Sequence, residues 1–206
     1  MDYFYKNFIE NQEKQIIWLS KHAFLHFALI FIAFSFFFII TSFWFLNVPH
    51  IQNILANFAA IFLGVVTAAI FHEWSHLIGA RIGSSAYTIP RKSGVFIFEW
   101  DFAKNNVGKF YIMSVSGSIG GLLSVFLLSK ALPATSLEYN NTVLVSAFSA
   151  FVFGAAIEWP VLYRTLSSKD PYTELEKTTP KVLMFSLLIA ILFGTFATSI
   201  LASIFN

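Results

Sequence analysis

The sequence predicts an all-α polytopic membrane protein with about five transmembrane helices and a small membrane-associated β-hairpin after the second helix. Hydrophobic residues fill 57% of the 206 positions and charged residues only 12%, whereas soluble domains average about 45–50% and about 25%. The chain also contains 26 phenylalanines and 5 tryptophans, more than a soluble core of this size requires. This composition indicates that much of the apolar surface contacts lipid.

Five apolar stretches give the helix count, because each is long enough to cross about 30 Å of hydrocarbon as a helix. They are residues 22–46, 54–80, 110–132, 142–166 and 182–205. Residues 1–21 mix aromatic residues with lysines, which is typical either of an interfacial helix or of a frayed polar end. We therefore predict an N-terminal segment, 1–21, and a single transmembrane domain, 22–206. No small-residue cleavage signature follows the first apolar run, so we expect a retained anchor.

The distribution of positive charge predicts the orientation of these helices. Lysine and arginine occur before the first helix, between the second and third helices, and between the fourth and fifth, whereas loops 47–53 and 133–141 contain none. Since positively charged loops remain in the cytoplasm, the N-terminus is expected there and the C-terminus on the far side. The small size and the lack of accessory domains favour a prokaryotic inner membrane.

Charge and cysteine content exclude several classes of function. The net charge is +2 and there is no long basic run, so the sequence gives no support for nucleic-acid binding. The chain has no cysteine, which excludes disulfides, thiolate metal ligands and a cysteine nucleophile.

Residues 95–102, between the second and third helices, predict a β-strand. Their sequence, Val-Phe-Ile-Phe-Glu-Trp-Asp-Phe, alternates with a period of two, which places the aromatic residues Phe96, Phe98, Trp100 and Phe102 on one face. A Ser-Gly turn signal precedes this segment, and residues 87–89 are a candidate partner strand. We therefore expect a hairpin at the membrane interface, with Glu99 and Asp101 on its solvated side.

His72, Glu73 and His76 form an H-E-x-x-H motif inside the second apolar stretch. An ionisable residue at the centre of a spanning helix costs about 2.5–3.5 kcal/mol on insertion scales and therefore marks a functional hypothesis. Residues i and i+4 share one face of a helix, so both imidazoles can bind one zinc ion. Glu73 is rotated by about 100° and borders the site, which suits a general base acting on an activated water. The alternative is a structural polar cluster that joins helices.

A zinc site with two histidines needs a third protein ligand, commonly a carboxylate. Glu158 in the fourth helix is the main candidate, because it lies about 9 Å from the cytoplasmic edge and the histidine pair about 10 Å, at 1.5 Å per residue. Pro160 is expected to loosen the backbone beside Glu158. Asp170 is the main rival, although it precedes a proline and suits a turn. Glu99 and Asp101 are further alternatives.

Other polar and small residues have ordinary explanations. His22 and His26 repeat the i, i+4 spacing but begin the first helix, where interfacial histidines are common, and His50 is expected in a solvated outer loop. The third helix carries a face of small residues that predicts close helix packing against the metal-bearing pair: Ser114, Gly117, Ser118, Gly120 and Gly121.

These features resemble the site-2 protease family of intramembrane zinc metalloproteases, over about residues 54–170. The shared features are the H-E-x-x-H motif in a spanning helix, a membrane-associated hairpin after it, and a glycine-containing helix followed by one with an acidic residue. The resemblance implies a catalytic core of three spanning helices, with zinc bound by His72, His76 and an acidic residue of the third core helix. It also implies that Glu73 is the catalytic base.

Two family signatures differ in this chain. The middle core helix of the family usually contains Gly-Pro-x-x-Asn, whereas here Ser118 follows Gly117 and Gly121 stands at the asparagine position. The family's acidic ligand usually lies in Asn-x-x-Pro-x-x-x-Leu-Asp-Gly, whereas here Glu158 precedes Pro160. The resemblance therefore implies roles for the two motif histidines and for Glu73. It does not identify the third metal ligand.

The resemblance implies an endopeptidase with Zn2+ as cofactor and a transmembrane or membrane-associated protein as substrate. A helical substrate must unwind, because its backbone groups bond internally in lipid. The strand edge with Phe96, Phe98 and Trp100 is expected to bind the unwound segment by strand addition. The aromatic side chains of Phe151, Phe153 and Trp159 are candidates for a lateral gate.

Two other functions stay open at this point. The same metal site would serve another zinc-dependent membrane hydrolase, acting on a lipid amide or a soluble peptide. A non-catalytic membrane scaffold related to a protease is the second alternative. The presence of Glu73 weighs against the scaffold, since metal binding does not require it.

Overall fold

The computed structural model describes the backbone of residues 2–42, 49–132 and 137–205, and the side chains of residues 12–42, 50–132 and 139–197. Within these ranges the chain forms six helices and one two-stranded sheet. In chain order they are α1 (Asp2–Ser42), α2 (Pro49–Ile82), β1 (Tyr87–Thr88), β2 (Glu99–Trp100), α3 (Val107–Ala131), α4 (Leu137–Ser168), α5 (Pro171–Glu176) and α6 (Pro180–Phe205).

Five helices in the described part of the chain, α1, α2, α3, α4 and α6, are long and apolar enough to cross a membrane. The predicted fold class, an all-α polytopic membrane protein with a small hairpin after the second helix, is confirmed. The helices are longer than the predicted apolar stretches. In particular, α1 begins at Asp2 and includes residues 2–21 of the predicted N-terminal segment, 1–21. Residues 43–46 of the first predicted span lie outside the described residues, as do residues 47 and 48 of the predicted loop 47–53. The expectation of His50 in a loop is wrong, because α2 begins at Pro49, a residue that suits the first helical position. The His50 side chain is exposed, as expected.

Helix α2 packs between its neighbours at very short range because small residues line the contacts. A buried cluster from α1, α2, α3 and α4 contains alanines at the helix crossings together with Phe37, Leu63 and Leu128. At Gly64 of α2, an added Cβ would overlap the Ser146 side chain and the Val143 carbonyl of α4. Small residues allow backbones to approach closely in lipid, where packing replaces the hydrophobic effect as the main source of helix association.

Four basic residues, Arg81, Lys109, Arg164 and Lys181, lie where α2 ends, α3 begins, α4 ends and α6 begins. We call this side of the molecule the basic end of the bundle. The segment between α2 and α3 lies at this end and contains both β-strands. The candidate site described below lies toward this end, since its residues lie about one to two and a half helical turns from these basic residues.

The hairpin forms, but it is shorter than the sequence predicts. β1 and β2 pair antiparallel, with Tyr87 opposite Trp100 and Thr88 opposite Glu99. The predicted strand over 95–102 is wrong outside Glu99–Trp100. After β2 the chain turns at once, because the Asp101 side chain accepts hydrogen bonds from the next backbone N–H groups, of Ala103 and Lys104, at 3.1 and 3.2 Å.

The predicted aromatic face of the hairpin is correct for three of its four residues. Phe98, Trp100 and Phe102 pack against the buried cluster that contains Phe110 at the start of α3. Phe96 does not join them and is 73% exposed. The cause is the neighbouring residue Ile97, which is fully buried against Leu77 and Ile89. Burial of Ile97 fixes the loop before β2 and breaks the alternation at that point.

His22 and His26 attach α1 to this loop. His26 Nε2 lies 2.9 Å from the carbonyl oxygen of Gly94, and His22 Nε2 lies 3.3 Å from that of Pro90. Trp74 donates its indole N–H to His26 Nδ1 at 3.1 Å, so the His26 proton lies on Nε2 and is donated to Gly94. The His22 side chain is 0% exposed and the His26 side chain is 2% exposed. The expectation of ordinary interfacial histidines is therefore wrong, because both are buried and hold the loop.

We expect His26→Ala to loosen the loop between α2 and α3. The variant leaves the Trp74 N–H and the Gly94 carbonyl without their partner, and an unsatisfied buried polar group costs about 1–3 kcal/mol. Unfolding in mixed micelles should show this loss of stability, and limited proteolysis should cleave the loop faster. His50→Ala removes an exposed histidine and is the matched control. Equal proteolysis of the two variants would contradict the prediction.

Candidate metal site

The two motif histidines lie one turn apart on α2 and face the same point. Their ring centroids are 4.4 Å apart, and His72 Nε2 lies 2.9 Å from His76 Nε2. The helix places them on one face because four residues advance it by slightly more than one turn. Both rings are largely buried, with side chains that are only 16% and 10% exposed.

Glu158 of α4 reaches the same point. Its Oε1 atom lies 2.9 Å from His72 Nε2 and 2.9 Å from His76 Nε2. Three potential ligand atoms are thus mutually 2.9 Å apart. The other carboxylate oxygen, Oε2, is buried and has no hydrogen-bond partner among the described residues. Because buried polar atoms are almost always satisfied, this one indicates a ligand or water at the site.

The backbone of α3 determines which lone pair His76 presents. His76 Nδ1 lies 2.9 Å from the carbonyl oxygen of Met113. A carbonyl oxygen only accepts hydrogen bonds, so Nδ1 carries the proton, and a neutral ring then presents a lone pair at Nε2. The Nε2 atom then faces the Glu158 oxygen at 2.9 Å, where either a proton on Nε2 or a metal ion can lie between the two atoms. Histidine ligands of metals are typically fixed by such a hydrogen bond on the other ring nitrogen.

The donor set fits zinc. Two imidazole nitrogens and one carboxylate oxygen form a known ligand set of catalytic zinc, with a fourth position open for water. Bonds of about 2.0–2.1 Å in tetrahedral geometry place ligand atoms about 3.3 Å apart, close to the observed 2.9 Å. One metal ion would bind all three donor atoms at once. Among the described residues, one group of three histidines and carboxylates has the spacing of a metal site, and it contains both motif histidines together with Glu73.

Glu73 lies beside the three donors without hydrogen-bonding to them. One of its carboxylate oxygens and the ring nitrogens of His72 and His76 lie within 4.8 Å of one another. Its side chain is partly buried. A carboxylate at this distance can accept a proton from a water at the centre of the site while remaining outside the ligand set.

Two glycines make room for the imidazole rings. An added Cβ at Gly117 of α3 would overlap the His76 ring, and one at Gly154 of α4 would lie 3.3 Å from a carbon of the His72 ring. Gly120 of α3 is similarly close to Ser75. The prediction that the small face of α3 packs against the metal-bearing pair is therefore confirmed. No role for Gly154 was predicted from the sequence. Its position four residues before Glu158 could have indicated that it lies near the same site.

The structure places the rival carboxylates in other roles. Asp170 is the N-cap of α5 and accepts hydrogen bonds from the backbone and side chain of Thr173, at 3.2 and 2.6 Å. The Thr173 hydroxyl holds the pKa of Asp170 below its ordinary value. Asp101 pairs with Lys104 at 2.8 Å, which lowers the Asp101 pKa. Glu99 is an exposed residue of β2. Of the candidate carboxylates, Glu158 is the one at the histidines.

The expected aromatic gate residues do not share one wall. Phe151 and Trp159 contact each other with ring centroids 6.5 Å apart, and both line a cavity between α4 and α6. Trp159 also donates its indole N–H to Ser118 of α3 at 3.0 Å. Phe153 lines a separate cavity, because two residues rotate a helix by about 200°. The prediction that these three residues form one lateral gate is therefore wrong.

The fold and the site define a class: a polytopic helical membrane protein with a candidate metal centre between three of its helices. Comparisons with protein-family models, with curated proteins and with solved structures found no match for the chain. The family resemblance therefore rests on the motif residues and their surroundings alone.

We expect Gly117→Ala to weaken metal binding, because the new methyl group overlaps the His76 ring and must displace it from the Met113 carbonyl. Loss of such a supporting contact typically lowers metal affinity about 10–100-fold. Zinc titration of the purified protein measures the change. Gly108→Ala is the control, since its Cβ would meet only an ordinary contact at 3.4 Å on the same helix. Unchanged affinity in Gly117→Ala would contradict the steric argument.

Proposed function

We propose that this protein is an intramembrane zinc metalloendopeptidase that cleaves transmembrane or membrane-associated peptides. The observation that carries the proposal is the hydrogen bond between His76 Nδ1 and the Met113 carbonyl, at 2.9 Å. It directs the free lone pair of His76 toward His72 and Glu158. The charge distribution of the loops further supports a cytoplasmic N-terminus in a prokaryotic inner membrane.

His72, His76 and Glu158 would hold the zinc ion. When bound, zinc supplies Lewis acidity to a water molecule and to the carbonyl oxygen of a substrate. Three helices contribute to the site. The motif lies on α2, Met113 lies on α3, and Glu158 lies on α4. The surrounding apolar bundle limits access by bulk water and strengthens electrostatic interactions at the site.

Glu73 is proposed as the general base. Its carboxylate takes a proton from the attacking water and then gives that proton to the departing amide nitrogen, as the carbon–nitrogen bond breaks. The products are a carboxylic acid and an amine, so no further reactant is required. The Glu73 carboxylate lies within 4.8 Å of the ring nitrogens of His72 and His76, which is close enough to accept a proton from a water at the site.

The hairpin is proposed to receive the unwound substrate. Intramembrane helices bond their backbone groups internally, so a segment must leave the helical state before cleavage. β1 occupies one edge of β2 in the two-stranded sheet, and the other edge is suited to strand addition. Of the three predicted substrate-binding residues, Phe96 is 73% exposed, whereas Phe98 and Trp100 pack against the hairpin and α3. Phe96 is therefore the side chain best placed to contact a substrate.

We expect Glu73→Gln to retain zinc and to lose cleavage of model transmembrane peptides by about 10²–10⁴-fold, the usual contribution of a general base. Purified protein in proteoliposomes provides both readouts, zinc content and product formation. Glu13→Gln removes an exposed carboxylate of α1 and serves as control. Full activity of Glu73→Gln would contradict the mechanism, and zinc binding with no peptide or lipid-amide hydrolysis in the wild type would favour a scaffold.

We expect Glu158→Gln to lower zinc affinity at least tenfold, because it replaces a charged ligand with a neutral amide of nearly the same shape. Asp170→Asn is the control, since that carboxylate caps α5. Zinc content after dialysis against a weak chelator measures the difference. Loss of zinc in Asp170→Asn with retention in Glu158→Gln would overturn the ligand assignment.

A further inference from the structure

An apolar groove of about 1010 Å³ runs between α4 and α6 on the outside of the bundle. Aromatic residues from both helices form its walls, among them Phe148, Trp159, Phe185 and Phe193. None of the three proposed metal ligands, His72, His76 and Glu158, lines this groove.

Two cations close the groove at the basic end of the bundle. Arg164 lies one turn before the end of α4, and Lys181 is the second residue of α6; both line the groove. Within the described residues, Lys181 makes no ion pair. Arg164 bonds Glu174 at 2.8 Å through Nε, and its side chain remains 41% exposed.

The nearby carboxylate does not neutralise these two cations. Glu174 is buried between Arg164 and Lys177 and lies 2.8 Å from each. The Lys177 ammonium, together with Arg164, keeps the pKa of Glu174 below its ordinary value. Asp170 also interacts electrostatically with Lys177. The positive charge beside the apolar groove is therefore that of Lys181, which has no ion pair among the described residues, and of the partly exposed Arg164.

We propose that this groove binds one anionic phospholipid. The headgroup phosphate contacts Arg164 and Lys181, and an acyl chain extends from the basic end along the aromatic walls toward Phe193. Basic pockets between spanning helices are typical sites for anionic headgroups, and arginine binds phosphate oxygens well. Trp159 and Tyr163 lie near the charged end, as aromatic residues do at a membrane interface. This proposal is independent of the metal chemistry.

The dimensions of the groove favour an acyl chain over a peptide helix. A helix with a diameter of about 10 Å and a length of about 30 Å occupies roughly 2,400 Å³. The groove provides about 1010 Å³, so it could take only one face of such a helix. An acyl chain is narrower and can enter it completely, while the two cations bind the phosphate that such a chain carries.

Native mass spectrometry of the full-length protein in detergent tests the proposal. The probes are phosphatidylglycerol and phosphatidylcholine with identical acyl chains. We expect one phosphatidylglycerol to be retained at least fivefold more than phosphatidylcholine, and Lys181→Gln to abolish most of this preference. Lys169→Gln removes an exposed lysine at the same end, outside the groove, and should behave like the wild type.

A second variant tests the acyl-chain contact separately. Ala156→Phe fills the groove without changing charge and should lower phosphatidylglycerol retention at least fivefold. Equal retention of the two lipids by the wild type, or an equal loss in Lys181→Gln and Lys169→Gln, would overturn the proposal. Displacement of the lipid by inorganic phosphate, or by a neutral transmembrane peptide, would likewise overturn it, since the groove would then bind a free anion or a helix.

Discussion

The candidate site depends on one constraint: two imidazole nitrogens and a carboxylate oxygen meet within 2.9 Å of one another inside an apolar bundle. Because His76 donates its Nδ1–H to the Met113 carbonyl, its Nε2 atom is the one that faces Glu158. Each of the three packed helices supplies a different part. α2 carries the imidazoles, α3 the carbonyl and the space at Gly117, and α4 the carboxylate and the space at Gly154. The close packing of these helices therefore serves the geometry of the site.

Much of this arrangement is predictable by counting residues along each helix. A helix rises 1.5 Å per residue, so counting from Arg81 and Arg164 places the histidines and Glu158 at the same depth. The structure brings these side chains within 2.9 Å, although α2 and α4 are separated by α3 in the sequence. The span count is similarly determined by composition, because lipid requires long apolar helices. The helix ends are less predictable, as α1 shows by continuing through residues 2–21.

The parts that sequence reasoning missed are those that depend on a partner. Every residue has a backbone carbonyl, so nothing in the sequence distinguishes Met113 as the support of His76. Gly154 acquires a role only when the His72 ring lies opposite it. The prediction of a long strand over 95–102 was wrong for a related reason. A period of two predicts a full strand only where pairing with a neighbouring strand continues. Burial of Ile97 against Leu77 and Ile89 holds the loop before β2 in another conformation.

Trp74 connects the proposed substrate edge to the metal site. It lies two residues from each motif histidine and is therefore rotated by about 200° from both. Its indole contacts His26 of α1, which bonds the loop at Gly94, five residues before β2. The same turn of α2 thus supports the metal-facing imidazoles on one side and the hairpin-bearing loop on the other. A shift of α1 would move the loop relative to the site, so α1 contributes to positioning even though it supplies no metal ligand.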